Sequence, residues 1–506
     1  MSAYEKIIGV LPSVKGPSTY LNFSSRIKWT GLILFIFLIM GQITLWGVSE
    51  TSLQQFQTFE MILGSSLGSI ITLGIGPIVT ASIILQLLAG SKIINIDTST
   101  EAGKAKFQST QKLLAILFCI FEAIIFVGLG AVSPVSRDFV TIAFLVVQLM
   151  FGALILLFMD EVVSKWGIGS GISLFIAAGV SKTIFVRALN PLAGEGSEFS
   201  FGLIPQAIQY IGSQQFYEAF TAFLPIISTV IVFLMVVYIQ AMKVQIPLAF
   251  ASVRGFARSW PLKLIYTSNI PVILIAALLA NIQLIGHALA RDVGGGLRCG
   301  LLGCFDGNNQ AVSGLAHYLQ VPRETSIELF FTSFLLAMLG SVVLAYYMKH
   351  PNLGKFLGAS SIISLILASM VTLSVTGAPS AESIFRVFVY LIILVAGSVL
   401  FSILWVTTAG MDARSVANQI ESMGMQVPGF RRDPRIVEQV LNRYIPSLTI
   451  ISGLAIGTLA ALGDFTGALG TGTGILLTVM IIYNFYEQIS QRYVEDMNPA
   501  VRKFFE

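Results

Sequence analysis

The chain has 506 residues, of which 55% are hydrophobic and only 11% are charged, and its mean hydropathy is +0.83. Soluble globular proteins carry about 25% charged residues, so this composition excludes a soluble domain and predicts a polytopic membrane protein. The formal net charge of +4 is too small to indicate a polyanionic partner by itself.

Twelve apolar runs are close to the roughly 20 residues that a helix needs to cross a bilayer. They cover residues 30–48, 76–89, 113–131, 139–159, 169–186, 223–242, 266–286, 328–347, 357–377, 387–407, 446–463 and 472–486. Loops on the side of the N-terminus hold most of the 30 Lys and Arg residues, which predicts that both termini are cytoplasmic. Residues 1–28 lack a signal-peptide core; an amphipathic segment on the cytoplasmic membrane surface is predicted, with a disordered tail as the alternative.

Residues 61–88 are apolar but contain Gly74, Gly76 and Pro77. Glycine weakens a helix interior by roughly 1 kcal/mol and proline by about 3 kcal/mol, so we predict a short helix, a break at residues 74–77 and a second helix beginning near Pro77. Irregular backbone inside a bilayer persists only where protein or a water-filled cavity satisfies its polar groups. This stretch is therefore predicted to line a path across the membrane, with a kinked structural span as the alternative.

Three further side chains are candidates for chemistry. Glu122 is the only clear carboxylate in the middle of a predicted span, where an ionisable residue is a functional hypothesis and a hydrogen bond to a neighbouring helix is the structural alternative. Cys299 and Cys304 lie in a predicted external loop, which permits either a disulfide or two free thiols. No four-ligand cluster accompanies them, so neither a metal site nor a cofactor is predicted.

Two echoes indicate an internal repeat. Residues 167–172 and 470–475 share the pattern G-x-G-x-G-I, and the second and seventh spans open at Pro77 and Pro271. Five spans separate the second from the seventh, an odd shift that inverts topology, as in the inverted repeats of many transport proteins.

Two long cytoplasmic loops, 242–263 and 408–443, carry clustered arginines. These are Arg254, Arg258, Arg414, Arg431 and Arg432. Such a cluster can dock RNA phosphates or meet anionic lipid; the loop lengths favour the first, because lipid anchoring does not require them.

Several longer runs resemble the SecY/Sec61α family, the channel-forming subunit of the Sec protein translocon, in its archaeal form. They are ITLGIGPIVTASIILQLL (71–88), DEVVSKWGIGSGISLFIAAGVS (160–181), SNIPVILIAALLANIQL (268–284), GALGTGTGILLTV (467–479) and VPGFRR (427–432). The resemblance implies an all-α membrane protein with two pseudo-symmetric inverted halves of five spans around an hourglass pore. The halves would be 29–187 and 223–486, with an external loop at 188–222 and a cytoplasmic tail at 487–506.

The resemblance also implies site residues. The pore constriction would consist of Ile75, Val79, Ile168, Ile172, Ile273 and Leu477. Spacing adds that Ile75/Val79 and Ile168/Ile172 are i, i+4 pairs, which share a face if both pairs are helical. An external plug at about 57–66 would include Phe59, Met61, Ile62, Leu63 and Gly64. A lateral gate between the second and seventh spans would hold a polar cluster of Thr80, Glu122 and Asn281.

The implied function is a passive protein-conducting channel that translocates unfolded secretory polypeptides and releases transmembrane segments sideways into lipid. Its partners would be small SecE/Sec61γ-type and Secβ-type subunits, a ribosome, signal peptides, nascent chains and the bilayer. The rival hypothesis is an inverted-repeat secondary transporter, which should place charged groups at its midplane, whereas this chain places isoleucine, valine and glycine there.

One stretch departs from the ten-span pattern. Residues 328–377 hold two additional apolar runs, which predict an extra helical hairpin. The connector carries Lys349, His350 and Lys355, which by charge bias belong in the cytoplasm. Two helices lying on the external membrane surface are the alternative.

Overall fold

The structure is a computed structural model. It describes residues 12–19, 21–48, 68–90, 93–94, 101–128, 132, 134–136, 138–192, 199–250, 257–267, 269–294, 297–306, 311–347, 353–422, 425–426 and 434–497.

Long helices dominate both halves of the chain. The first half contains α1 (Phe23–Met40), α2 (Gly76–Gly90), α3 (Glu101–Gly128), α4 (Phe139–Trp166), α5 (Gly171–Leu189) and α6 (Leu203–Gly212). The second contains α7 (Phe216–Ala241), α8 (Ile270–Leu289), α9 (Leu315–Tyr318), α10 (Thr325–Tyr347), α11 (Leu353–Val375), α12 (Ala381–Thr408), α13 (Ala413–Ser422), α14 (Pro434–Phe465) and α15 (Gly472–Met497). Within the described ranges, eight helices are long and apolar enough to cross a membrane, and three shorter apolar helices accompany them.

Each of the twelve predicted runs coincides with a helix, but the first is displaced. The prediction was 30–48, whereas α1 begins at Phe23 and ends at Met40. The chain turns at Gly41, and Leu45 is buried in an apolar cluster with α3 and α4. Hydropathy cannot separate an apolar residue that faces lipid from one that is buried in such a loop, which explains the error.

Two small sheets lie between the long helices, and the sequence analysis missed both. Strands β1 (Lys243–Phe250), β2 (Ala257–Lys263) and β7 (Met425–Gln426) form a sheet in the order β2-β1-β7. Lys243 pairs with Lys263, and Ala249 pairs with both Ala257 and Gln426. The sheet therefore joins the two long loops that were predicted separately.

The second sheet follows α8 and contains β3 (Arg291–Gly294), β4 (Leu297–Gly300), β5 (Gly303–Phe305) and β6 (Ala311–Ser313) in sequential antiparallel order. Cys299 and Cys304 are paired residues of β4 and β5 and are joined by a disulfide. Leu302 of the β4–β5 turn lies against Gly286 of α8. The disulfide-linked hairpin therefore packs against the end of α8.

The two extra apolar runs form the helices α10 and α11, which pack against each other. Ser228 lies midway along α7, and its hydroxyl is 3.0 Å from the hydroxyl of Thr332 in α10. In contrast, Ile362 and Ile363 of α11 are 64% and 58% exposed. The helix α10 therefore joins the bundle beside α7, while α11 presents apolar side chains outward, as suits contact with lipid.

Candidate functional site

The segment before α2 is irregular and buried, as its glycines predicted. Residues 68–75 form turns, with φ values of +78° at Gly68 and +54° at Gly74, and α2 then begins at Gly76. The predicted break and the helix beginning near Pro77 are both confirmed. The predicted short helix before the break is wrong for residues 68–73, which form turns, and its earlier part lies outside the described residues. A Cβ on Gly152 of α4 would lie 1.9 Å from the carbonyl oxygen of Ile70. Packed protein, rather than lipid, therefore surrounds the irregular backbone.

The three residues of the predicted gate cluster come together although they are distant in sequence. Asn281 of α8 donates from Nδ2 to Oγ1 of Thr80 in α2, at 3.1 Å. Thr80 in turn donates from Oγ1 to Oε1 of Glu122 in α3, at 2.8 Å. Glu122 is 8% exposed. A single chain of hydrogen bonds thus connects α8 of the second half to α2 and α3 of the first.

Most of the predicted constriction lies in one continuous apolar cluster. Ile75, Val79, Ile273 and Leu477 are buried members, and half-buried Ile172 packs against them. Ile75 is fully buried, and Ile273 is the most exposed of the four at 8%. These side chains come from both halves and meet in one apolar contact, which we call the waist.

The shared-face prediction is correct for one of the two isoleucine pairs. The amide of Val79 donates to the carbonyl of Ile75 at 3.0 Å, which is the helical i, i+4 bond. Ile168, however, precedes α5, and the following Gly169 has a φ of +80°. The helix-face argument for Ile168/Ile172 is therefore wrong, because a left-handed glycine interrupts the helical path between them. Ile168 is buried, and its amide donates to Oγ1 of Thr30 at 3.0 Å.

A polar cavity of about 580 Å³ adjoins the start of α5. Ser170, Ser173 and Asn269 line it, and so do Lys263 and Glu487. Lys263 and Glu487 form an ion pair across the cavity wall between β2 and α15. The cavity borders the apolar cluster, because Leu174 and Ile481 of that cluster also line it.

The predicted arginine cluster is only partly described. Arg414 is an exposed residue of α13, and the backbone of Arg258 pairs with Leu248 in the β1–β2 hairpin. Arg254, Arg431 and Arg432 lie outside the described residues, as do the plug residues Phe59, Met61, Ile62, Leu63 and Gly64.

Two carboxylates near the waist were not identified as candidate site residues from the sequence. Asp160 lies near the end of α4 and Asp464 near the end of α14, and each accepts a hydrogen bond from the start of the following helix. Both aspartates fall one residue beyond a predicted span. The G-x-G-x-G-I echo was the signal that could have found them, because both aspartates contact that motif.

Comparisons with known proteins agree with this geometry. A family model described as SecY matches residues 69–486, and one described as the plug domain of Sec61p matches residues 35–68. This chain belongs to the SecY family. The SecY protein translocase subunits of Methanothermobacter thermautotrophicus and Methanocaldococcus jannaschii are each 41% identical to it, over at least 98% of both chains. It is a multi-span membrane protein of the protein translocase type.

Solved SecY-family structures share the fold. One described as a protein-conducting channel has a TM-score of 0.76 and 39% sequence identity, and 98% of each chain is covered. Sec61 in the canine ribosome–channel complex from the endoplasmic reticulum has a TM-score of 0.74 and 39% identity, with the same coverage.

Proposed function

We propose that this SecY-family chain forms a passive protein-conducting channel with two exits. An unfolded secretory polypeptide passes along the axis through the apolar waist, and an apolar segment leaves sideways between α2 and α8. The hydrogen-bond chain from Asn281 through Thr80 to Glu122 carries this proposal, since these side-chain bonds join α8 to α2 and α3 and no covalent bond has to break for the helices to part. The channel catalyses no reaction, and a partner supplies the driving force.

The geometry does not favour the transporter hypothesis. A coupled transporter needs ionisable groups free to take up a cation near the midplane. Glu122, Asp160 and Asp464 each accept hydrogen bonds from protein donors instead, and the described waist is apolar.

Reconstitution tests the function directly. The chain is purified with its small membrane subunits and placed in liposomes, and translating ribosomes supply a chain with a signal sequence. We expect protease protection of the secretory chain and carbonate-resistant integration of a variant with a transmembrane segment. A matched chain without its signal should stay protease-sensitive. Equal protection with and without the channel would overturn the proposal.

We further propose that a ribosome docks on the sheet β2-β1-β7 and on the arginines of the two loops that the sheet joins. Arginine on a cytoplasmic face contacts RNA phosphates, and such contacts weaken as salt rises. The double variant Arg254→Glu, Arg431→Glu should lower ribosome affinity by roughly tenfold or more at moderate salt, because two phosphate contacts are lost and two repulsions replace them. Co-sedimentation measures this, with Lys349→Glu as the matched control. Unchanged affinity would assign the arginines to lipid.

The proposed topology places both termini and the α10–α11 connector in the cytoplasm. In a chain whose Cys299 and Cys304 are replaced by serine, the variant Asn352→Cys should resist a membrane-impermeant thiol reagent in sealed right-side-out vesicles and react after lysis. The variant Leu301→Cys is the control, because Leu301 is 92% exposed and a thiol there should react without lysis. Labelling of the Asn352→Cys variant before lysis would mean that the connector is external and that the hairpin does not cross the membrane.

A further inference from the structure

The carboxylate of Asp160 holds the start of α5. Its Oδ1 accepts the amide of Ile172 at 2.9 Å. The first amides of a helix have no intrahelical acceptor. A negative charge beside them also interacts favourably with the positive end of the helix dipole. A Cβ on Gly171 would lie 2.6 Å from the Cα of Asp160. The first residue of α5 thus lies directly on α4, where only glycine fits.

Asp464 makes the corresponding contact at the start of α15. Its Oδ1 accepts the amide of Thr473 at 3.1 Å, and its Oδ2 accepts the hydroxyls of Thr473 at 2.6 Å and Tyr390 at 2.8 Å. A Cβ on Gly472 would lie 1.9 Å from the carbonyl carbon of Gly463. Here too a glycine at the first helical position allows the helix to meet the preceding one at backbone distance.

The two capped ends lie at opposite ends of one antiparallel helix pair. Gly169, before α5, lies next to Phe485 midway along α15, while Gly474 near the start of α15 lies next to Val180 of α5. The helix α5 carries Ile172 in its first turn, and α15 carries Leu477 in its second. Asp160 therefore supports the waist from one end of this helix pair, and Asp464 supports it from the other end.

We propose that Asp160 and Asp464 are matched positioning residues for the resting seal. Each holds the first turn of a helix that carries a waist residue, so removing either carboxylate lets that turn move away from the waist. The proposal rests on the proposed channel function and adds the groups that set the width of the closed pore. Each aspartate acts through one side chain, Asp160 through Ile172 and Asp464 through Leu477.

The test measures ion conductance of the assembled channel in planar bilayers. Asp464→Ala should raise the resting open probability roughly tenfold, since a buried amide loses its acceptor. Asp464→Asn keeps an oxygen at Oδ1 and should restore the seal. Tyr390→Phe removes a donor from the same carboxylate but leaves the contact with Thr473, so its conductance should match that of the parent. Asp160→Ala and Asp160→Asn should repeat this contrast at α5.

A double-variant cycle separates positioning from general loosening. Adding Asp464→Ala to Leu477→Asn should increase the leak little, because both changes act at the same side chain. Adding Asp464→Ala to Ile172→Asn should increase the leak by about the same factor as adding Asp464→Ala to the parent channel, because these two changes act at different side chains. Equal increments in both backgrounds, or a leak in Tyr390→Phe as large as in Asp464→Ala, would overturn the proposal. Translocation by the parent channel is measured in the same preparation, so a failure of the channel function itself is seen separately.

Discussion

Ions should leak through the resting channel when Ile75 and Ile172 are both replaced by asparagine. In the proposed channel the waist excludes water because its side chains are apolar and meet at a narrow point, so water and ions gain no hydrogen bonds by entering. Burial of an amide without a partner costs about 1–3 kcal/mol. Two such groups favour a hydrated waist, and the open probability should rise roughly tenfold or more.

Single-channel recording in planar bilayers measures this effect. The matched control is Ile75→Val, Ile172→Val, which keeps both side chains apolar and should retain the seal. If the channel with asparagine at both positions passes currents indistinguishable from those of the parent, Ile75 and Ile172 are not part of the constriction.

Two substitutions in the gate cluster should change channel opening in opposite directions. Thr80→Val removes the hydroxyl that joins Glu122 to Asn281. Both polar groups then lack that partner in the closed gate, which destabilises the closed state by roughly 1–3 kcal/mol. Asn281→Leu removes the amide, Thr80 still donates to Glu122, and the leucine side chain buries more apolar surface between α8 and α2, which should stabilise the closed gate. The valine variant should therefore open more easily and the leucine variant less easily.

The readout is the hydrophobicity that a signal segment needs for insertion, measured over a graded series of leucine contents. Thr80→Val should lower this threshold and Asn281→Leu should raise it. Thr80→Ser is the control, because it retains the hydroxyl and should keep the threshold of the parent. A threshold left unchanged by Thr80→Val would contradict a role of these hydrogen bonds in closure.

Local chemistry made some parts of the site predictable from sequence. The break before Pro77 follows from backbone preferences that neighbouring residues alone determine, and the structure has it at the expected position. The contact among Thr80, Glu122 and Asn281 could not be predicted from neighbouring residues. Their separation along the chain is large, so the resemblance to a known family, rather than any spacing rule, brought them into one prediction.

The errors have physical causes of the same kind. Ile168 was assigned to a helix face because i, i+4 spacing assumes a continuous helix, and a single left-handed glycine, Gly169, removes that condition. The strand β1 contains Pro247 and β2 contains Pro261, and proline argues against a strand in a sequence pattern. Asp464 was missed because a span boundary drawn by hydropathy stops at the first charged residue, whatever that residue contacts.

The sheet β2-β1-β7 has a mechanical consequence. Strand β1 leaves α7 and β2 leads to α8, while β7 lies between α13 and α14. Lys243 and Lys263 also form ion pairs with Glu487 of α15. A load applied to either loop would therefore be shared among these helices and would reach α8, one wall of the proposed lateral exit. In the proposed channel, the stiffness of this sheet would set how much of a push from a docked partner reaches the contact between α8 and α2.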